Sequence, residues 1–374
     1  MYCKRVEVKN FRNIKEAKVE FSEGVNVLVG ENAQGKTNLL EGIFLLSVGK
    51  SFRATNSNEM ISFGERSAEI SLDYKCDGRI RDDNINIKLF SDKKKIVEKN
   101  NLRVEKMSDI VGSFRAVLFC PEHLSLIKDG PAERRNYLDI AISRISQKYI
   151  HSLQRYTYFL KQRNSLIKSA YQNRESFDAT VELWSEKMAE EAAVITVMRA
   201  EYIERVNGLL GKYFEQMTGE REKTEVSYRT SAGLTDSECF NARLVKEKYY
   251  SLLTSAYDRE IALGSTLYGI HKDDIDIKLN QKSARSFSSQ GQQRSLALGL
   301  KLAEGEICKE EFGDYPVFLF DDVLSELDET RRDYMILQAT DKQVIITTCE
   351  EDFVKKMNAQ RVINVKDGKY FEQV

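Results

Sequence analysis

The sequence predicts an α/β domain built from two separated pieces, with an all-helical lobe inserted between them. Three observations carry this. Residues 4–30 and 59–119 show strand patterns, with apolar residues alternating with charges or gathered in short runs. From about 133 to 216 there is no proline, the only glycines are Gly208 and Gly211, and apolar residues recur at helical spacing. Beyond about 264, strand and helix patterns alternate again. The expected division is 1–130 and 264–374 for the discontinuous domain and 131–263 for the lobe, which carries a long helical hairpin.

Each element follows from local pattern. Val6 and Val8 alternate with charges, as do Ala17, Val19 and Phe21, and Val25-Asn26-Val27-Leu28-Val29 is a short apolar run ending at Gly30. Leu39, Leu40, Ile43, Phe44 and Leu46 have helical spacing over 36–48. Short strands are expected at 68–74, 84–90 and 115–119, with a charged turn at 91–95. In the lobe, Ile145, Tyr149, Leu153, Tyr156, Leu160 and Ile167 form one apolar stripe. Trp184, Met188, Ile195, Met198, Tyr202, Leu209 and Tyr213 form another. Two long helices turning near 171–178 account for both. Strands at 275–279, 317–320, 344–347 and 362–365 and helices at 289–306 and 328–340 complete the chain.

Composition narrows the function. The chain has 374 residues, 41% of them hydrophobic, enough for a sizeable core. Lys+Arg 57 against Asp+Glu 58 excludes a generally polybasic nucleic-acid coat protein, so any nucleic-acid contact must come from local patches. Only 3 prolines argue against disordered linkers and permit long helices. The 6 cysteines form no CxxC pair, which suits neither a zinc site nor a disulfide framework. Charges in the first eight residues are unlike a signal peptide, and no run approaches ~18 apolar residues. A cytoplasmic protein with reduced thiols and no membrane partner is expected.

Three segments carry chemistry. Gly30-Glu31-Asn32-Ala33-Gln34-Gly35-Lys36-Thr37 fits G-x-x-x-x-G-K-[ST], with a strand before it and a helix after. The glycines allow a loop tight enough for backbone N–H groups to face phosphates, and the helix adds its positive end. Lys36 is expected on the β/γ-phosphates of ATP, Thr37 on Mg²⁺, and Asn38 beside the loop. Val317-Phe318-Leu319-Phe320-Asp321-Asp322 is an apolar strand ending in two carboxylates. Asp321 would hold Mg²⁺ and Asp322 would orient the attacking water, though buried strands also end in plain Asp turns. Ser288-Ser289-Gln290-Gly291-Gln292-Gln293-Arg294 opens a helix and reads on its own as a capping box between Ser289 and Gln292.

The order of these segments resembles the ATP-binding-cassette (ABC-type) ATPases, with Ser289-Gln290-Gly291-Gln292 as signature and Ser325-Glu326-Leu327-Asp328 as D-loop. The resemblance implies a P-loop head of mixed sheet and flanking helices. It also implies that Ser289 and Gly291 contact the γ-phosphate held by a second subunit, so that ATP closes a homodimer. The implied catalytic set is Lys36, Asp322, Ser289, Gly291 and Gln292. Val8-Lys9-Asn10-Phe11-Arg12-Asn13 resembles the first strand of Rad50, SMC and RecF heads, where Arg12 and Asn13 would near the nucleotide; a basic β-turn is the alternative. About 250 residues separate Lys36 from Ser289, too few for the long coiled coils of Rad50 or SMC proteins.

Further segments are similar to the RecF family: Phe119-Cys120-Pro121-Glu122-His123-Leu124, Gly130-Pro131-Ala132-Glu133-Arg134-Arg135-Asn136-Tyr137-Leu138-Asp139 and Gly269-Ile270-His271-Lys272-Asp273-Asp274. This resemblance covers essentially the whole chain. It implies roles in DNA repair, replication, recombination and the SOS response to DNA damage. It further implies binding to gapped or junction DNA, RecR and RecO as partners, RecA as the loaded recombinase, and a weak DNA-stimulated ATPase acting as a slow timer. Phe52 stands where His is expected and Ile270 where Pro is expected. No His follows strand 344–347, which leaves Thr347 or Thr348 to substitute for the switch histidine. A transporter's nucleotide-binding subunit, another SMC-like repair ATPase and a small-molecule phosphotransferase are the rival readings.

Charge patterning adds a DNA hypothesis. Residues 140–174 hold Arg144, Lys148, Arg155, Lys161, Arg163, Lys168 and Arg174 and no acid, with tyrosines interleaved. Residues 175–204 hold eight acids against Lys187 and Arg199. Either the basic arm pairs with the acidic arm, or Arg144, Lys148, Arg155, Lys161 and Arg163 face DNA phosphates. Arg134-Arg135 reads as a DNA contact or as a solvated helix start. His271 reads as a nucleotide or DNA contact or as part of a capped turn.

Overall fold

In the computed structural model, all residues are described except 79, 220, 221, 325, 326, 339, 340, 351–353, 355, 356, 373 and 374. The chain opens with β1 (Tyr2–Phe11), β2 (Ile14–Glu20) and β3 (Val25–Val29), then α1 (Lys36–Val48). Next come β4 (Ser67–Lys75), β5 (Asp83–Phe90), β6 (Ile96–Lys99), β7 (Leu102–Val104) and β8 (Ala116–Phe119). Helices α2 (Ser125–Lys128), α3 (Pro131–Ile145), α4 (Gln147–Ser169) and α5 (Arg174–Thr218) lead to β9 (Thr224–Arg229), α6 (Ala242–Ser255) and α7 (Tyr257–Leu263). β10 (Asp274–Leu279), β11 (Lys282–Ser283), α8 (Ala284–Phe287) and α9 (Gln290–Phe312) follow. The chain closes with β12 (Val317–Asp321), α10 (Glu329–Gln338), β13 (Val344–Thr348), β14 (Arg361–Lys366) and β15 (Lys369–Glu372).

Contacts divide the chain into two compact units: Met1–Leu124 with Tyr213–Glu220 and Arg294–Val374, and Ser125–Lys212 with Arg221–Gln293. Residues 264–293, expected with the first domain, therefore group with the second. The reason is strand pairing, since β10 joins β9 in antiparallel register with Ile275 opposite Tyr228. The second unit is accordingly not all-helical: β11-β10-β9 forms a three-stranded sheet.

The first unit contains two six-stranded sheets. One has the order β15-β14-β3-β13-β12-β8 and is parallel except for the β14–β15 hairpin. Every residue of β8, β12 and β13 is buried, the pattern of strands covered on both faces. The other, β2-β1-β4-β5-β6-β7, is antiparallel, and β4 alternates, burying Ala68, Ile70, Leu72 and Tyr74 while the residues between them are half-buried. Helix α1 touches β1, β4 and β5 of this sheet and β8 and β12 of the parallel one. That is why it buries Leu39, Leu40, Ile43, Phe44, Leu45 and Leu46 around its circumference rather than along one stripe. The loop before α1 is thereby anchored on both sides.

In the second unit, α4 buries Tyr149, Tyr156, Arg163 and Ile167 at seven- and four-residue steps. The turn into α5 is closed by Ile167, Ala170, Phe177, Val181 and Ile261.

Candidate nucleotide site

The loop from Gly30 to Thr37 joins the end of β3 to the start of α1. Gly35 has φ 118°, a conformation L side chains rarely adopt, and a Cβ on Gly30 would lie 2.2 Å from the Val365 carbonyl oxygen. Both glycines are demanded by geometry. No side chain caps the first turn of α1, so its N–H groups remain available to an anion. The loop is braced from outside: Gly368 N donates to Gln34 O at 2.9 Å, Asp367 N to Gln34 Oε1 at 2.6 Å, and Tyr370 OH to Gly35 O at 3.0 Å.

Lys36 is buried, and its Nζ donates to Gly30 O, to Glu31 O at 2.8 Å and to Cys349 Sγ at 3.4 Å. Cys349 Sγ in turn donates to Asn32 Oδ1 at 3.0 Å. Thr37 Oγ1 donates to Asp321 Oδ1 at 2.7 Å across 284 residues of sequence. Thr347 Oγ1 donates to the same oxygen at 2.9 Å and accepts from Asp322 N at 3.0 Å. Burial pushes the Asp321 carboxyl above the usual carboxylate range, and the two hydroxyl donors pull against that shift. Asp322 sits at φ 52°, a left-handed conformation that Asp tolerates better than most residues.

Asn13 and Asn38 flank the loop. Asn13 Nδ2 donates to Ala33 O at 3.0 Å, and Asn38 Nδ2 donates to Asn13 Oδ1 at 2.7 Å. Arg12, expected at the nucleotide, instead grips the buried Glu41 with Nε at 2.9 Å and Nη2 at 2.7 Å, and donates Nη1 to Glu59 O. Ser51 Oγ donates to Glu41 as well. Arg12 thus ties the turn after β1 to α1. Three participants were missed by sequence reasoning. Exposed Arg53 donates to Asn38 Oδ1 at 3.1 Å, Glu41 anchors Arg12, and Glu122 raises the Asp321 pKa through its charge. An Arg five residues past the helix was the available signal for Arg53; nothing local marks Glu41 as a buried anchor.

The signature turn belongs to the second unit and shows the expected capping box. Ser289 N donates to Gln292 Oε1 at 2.7 Å, and Gln292 N to Ser289 Oγ at 3.3 Å. Gln292 Nε2 also donates to Glu222 Oε1 at 3.0 Å. Of the D-loop, Ser325 and Glu326 lie outside the described residues, and Asp328 pairs with Arg331.

Several expected contacts are corrected by burial. Arg144 and Arg163 are buried, so neither faces a phosphate. Arg163 is held by Glu260 at 2.6 Å. Arg155 is exposed but pairs with Glu191 of the acidic arm at 2.5 Å. Lys148 and Lys161 remain exposed. Arg134 is not a solvated helix start: it is buried, and its Nε and Nη2 clasp Asp274 at 2.7 and 2.9 Å. His271 is a packed side chain, with Nδ1 2.7 Å from Tyr156 OH, and burial pushes its pKa down to about 4. Among the described residues no group of three or more His, Cys, Asp or Glu could hold a metal, and no helix is long and apolar enough to cross a membrane.

A phosphate loop on a parallel sheet beside a second, antiparallel sheet, with Thr37 facing Asp321, defines an ABC-type ATPase head. The Smc head of Pyrococcus furiosus shares this fold, at TM-score 0.57 and 18% identity over 100% of this chain and 96% of that one. The RecF/RecN/SMC N-terminal domain family matches residues 2–370. DNA replication and repair protein RecF of Clostridium novyi (strain NT) is 38% identical over 93% of this chain and 92% of its own length. RecF of Ruminiclostridium cellulolyticum is 37% identical over 96% of each. A solved structure of the recombination mediator protein RecF with ATP, from the RecFOR pathway, superimposes with TM-score 0.91 at 36% identity, covering 100% of this chain and 99% of that one. The chain belongs to the RecF family.

Proposed function

We propose that this chain is an ATP-dependent recombination mediator that binds gapped or junction DNA as an ATP-closed dimer. With RecR and RecO it would help load RecA, and slow hydrolysis would act as a timer. The observation that carries the reading is the 2.7 Å contact between Thr37 Oγ1 and Asp321 Oδ1. It brings together a hydroxyl and a carboxylate of the kind that hold Mg²⁺ beside a phosphate loop. The donor set fits the group: hard oxygens for the cation, the open N-terminus of α1 and the Lys36 ammonium for the phosphates.

Lys36, Thr37, Asn38 and the loop from Gly30 to Gly35 would hold Mg²⁺-ATP, with Asp321 completing the cation's protein ligands. Bound nucleotide supplies a phosphoanhydride whose cleavage ends the closed state. Thr347 fixes Asp321 through its hydroxyl and the Asp322 backbone through its oxygen, which favours it over Thr348 as the residue that would stand in for the switch histidine. Asp322 would orient water and accept its proton. Ser289 and Gly291 would meet the γ-phosphate held by the partner copy. Lys148 and Lys161, both exposed, would contact DNA phosphates.

Ser289→Arg tests this by placing a bulky side chain in the turn without touching the phosphate loop. The variant should bind ATP like wild type by calorimetry, yet fail to dimerise in sedimentation and lose ATP-stimulated binding to labelled gapped duplex in anisotropy. A variant that binds ATP, dimerises and holds gapped duplex like wild type overturns the two-half-site reading.

A further inference from the structure

Two of the family-like segments, residues 130–139 and 269–274, meet within the second unit. Besides the Arg134–Asp274 clasp, Arg135 Nη1 donates to Asp273 O at 2.8 Å. Asp139 Oδ1 accepts from Tyr149 OH at 2.5 Å and from Arg199 Nη2 at 2.8 Å, and Arg199 Nη1 donates to Ile270 O at 3.0 Å. The buried Asp273 carboxylate accepts from Tyr249 OH at 3.0 Å, from Ser231 N at 2.7 Å and from Tyr228 OH. This network fixes the start of β10.

The other end of β10 leads to the signature. Its turn into β11 is Asn280-Gln281, both residues at positive φ (50° and 65°), the conformation of a tight hairpin. Asn280 Oδ1 accepts from Lys223 N at 3.0 Å, and Asn280 Nδ2 donates to Glu222 Oε1 at 3.0 Å. The same Glu222 oxygen accepts from Gln292 Nε2 at 3.0 Å, while Gln292 Oε1 accepts from Ser289 N at 2.7 Å. Both ends of the Gln292 amide are therefore used inside the protein. Its orientation is set by Glu222: Nε2 must face the carboxylate, which turns Oε1 toward Ser289 N.

We propose that Glu222 and Asn280 are positioning residues of the signature turn, holding Gln292 so that Ser289 and Gly291 present a preformed surface to the partner's nucleotide. This rests on the two-half-site reading above. Gln292, which the ABC resemblance places in the catalytic set, then acts on Ser289 and not on phosphate. Without the carboxylate the amide is free to rotate, Ser289 N loses its acceptor, and closing the dimer must include the cost of reordering the turn.

The test compares Glu222→Ala, Glu222→Gln and Asn280→Ala with Ser289→Arg in the full chain. Calorimetric ATP affinity of the monomer should stay at the wild-type value in all three variants. The thermal unfolding midpoint should stay there in the two Glu222 variants, whereas Asn280→Ala, at φ 50°, should lower the midpoint. ATP-induced dimerisation by sedimentation should weaken about ten-fold in Glu222→Ala, the effect of one charge-assisted hydrogen bond, and less in Asn280→Ala. Glu222→Gln should recover most of it, because its Oε1 can still accept from Gln292; a loss in Glu222→Gln equal to that in Glu222→Ala overturns the proposal. If Glu222→Ala dimerises like wild type while Ser289→Arg does not, the positioning role is wrong and the two-half-site reading stands. If Ser289→Arg also dimerises normally, that reading fails first.

Discussion

Two kinds of buried cation occupy the two units, and their partners separate function from architecture. In the second unit, Arg163 donates to Glu260 Oε2 at 2.6 Å, Leu253 O at 2.8 Å, Thr266 Oγ1 at 2.9 Å and Ser185 Oγ at 3.0 Å. Arg199 pairs with Asp139 and three further oxygens. In the first unit, Lys36 is also buried, yet its partners among the described residues are two carbonyls and a thiol. A buried charge is tolerated when paired and costly when not. Arg163 and Arg199 are neutralised internally and hold the fold. Among the described residues Lys36 is hydrogen-bonded by neutral acceptors alone, the arrangement of a cation poised to receive an anion. Burial alone does not tell the two apart; the formal charge of the partners does.

The sharpest way to break this contrast is to delete one cation of each kind. Arg163→Met should destabilise the second unit by about 3–5 kcal/mol, because it strands the fully buried Glu260. Lys36→Ala should change stability by no more than about 1 kcal/mol, since only neutral acceptors lose a donor, while calorimetric ATP binding falls at least about 100-fold, the loss of a charge-assisted phosphate contact. Equal destabilisation by both variants would erase the distinction.

A smaller effect follows from His271. Its folded pKa of about 4 lies below the usual value near 6.5, so the unfolded chain takes up a proton that the folded chain refuses. Stability contributed at neutral pH is therefore lost as pH falls from about 6.5 to about 4, a total of order 3 kcal/mol. Urea midpoints measured across that window should be flatter for His271→Asn than for wild type. The slope that remains belongs in part to His123, whose pKa burial also lowers. Identical slopes would place His271 outside the linkage.

The smallest effects separate exposed cations. Lys148 and Lys161 have no carboxylate partner among the described residues, whereas Arg155 has Glu191. Lys148→Ala and Lys161→Ala should each lower the salt slope of DNA binding by about 1. Arg155→Ala should leave that slope unchanged and cost under about 1 kcal/mol of stability.

What could be read from the sequence was what is decided within a few residues. The phosphate loop is legible because Gly30, Gly35, Lys36 and Thr37 satisfy a backbone requirement over eight positions, with strand and helix on either side. The capping box of Ser289 and Gln292 is legible for the same reason. Alternation placed β1, β4 and β5, and helical spacing placed α1, α4 and α5. Tertiary structure decided what each charge is for. Arg163 and Lys161 lie two residues apart in one basic stretch, yet one is sealed against Glu260, 97 residues away, and the other faces solvent. Arg12 faces Glu41 rather than the loop, and Gln292 is governed by Glu222, 70 residues earlier. A side chain's electrostatic role depends on which opposite charge arrives beside it and on how much water is left, and both are set by contacts remote in sequence.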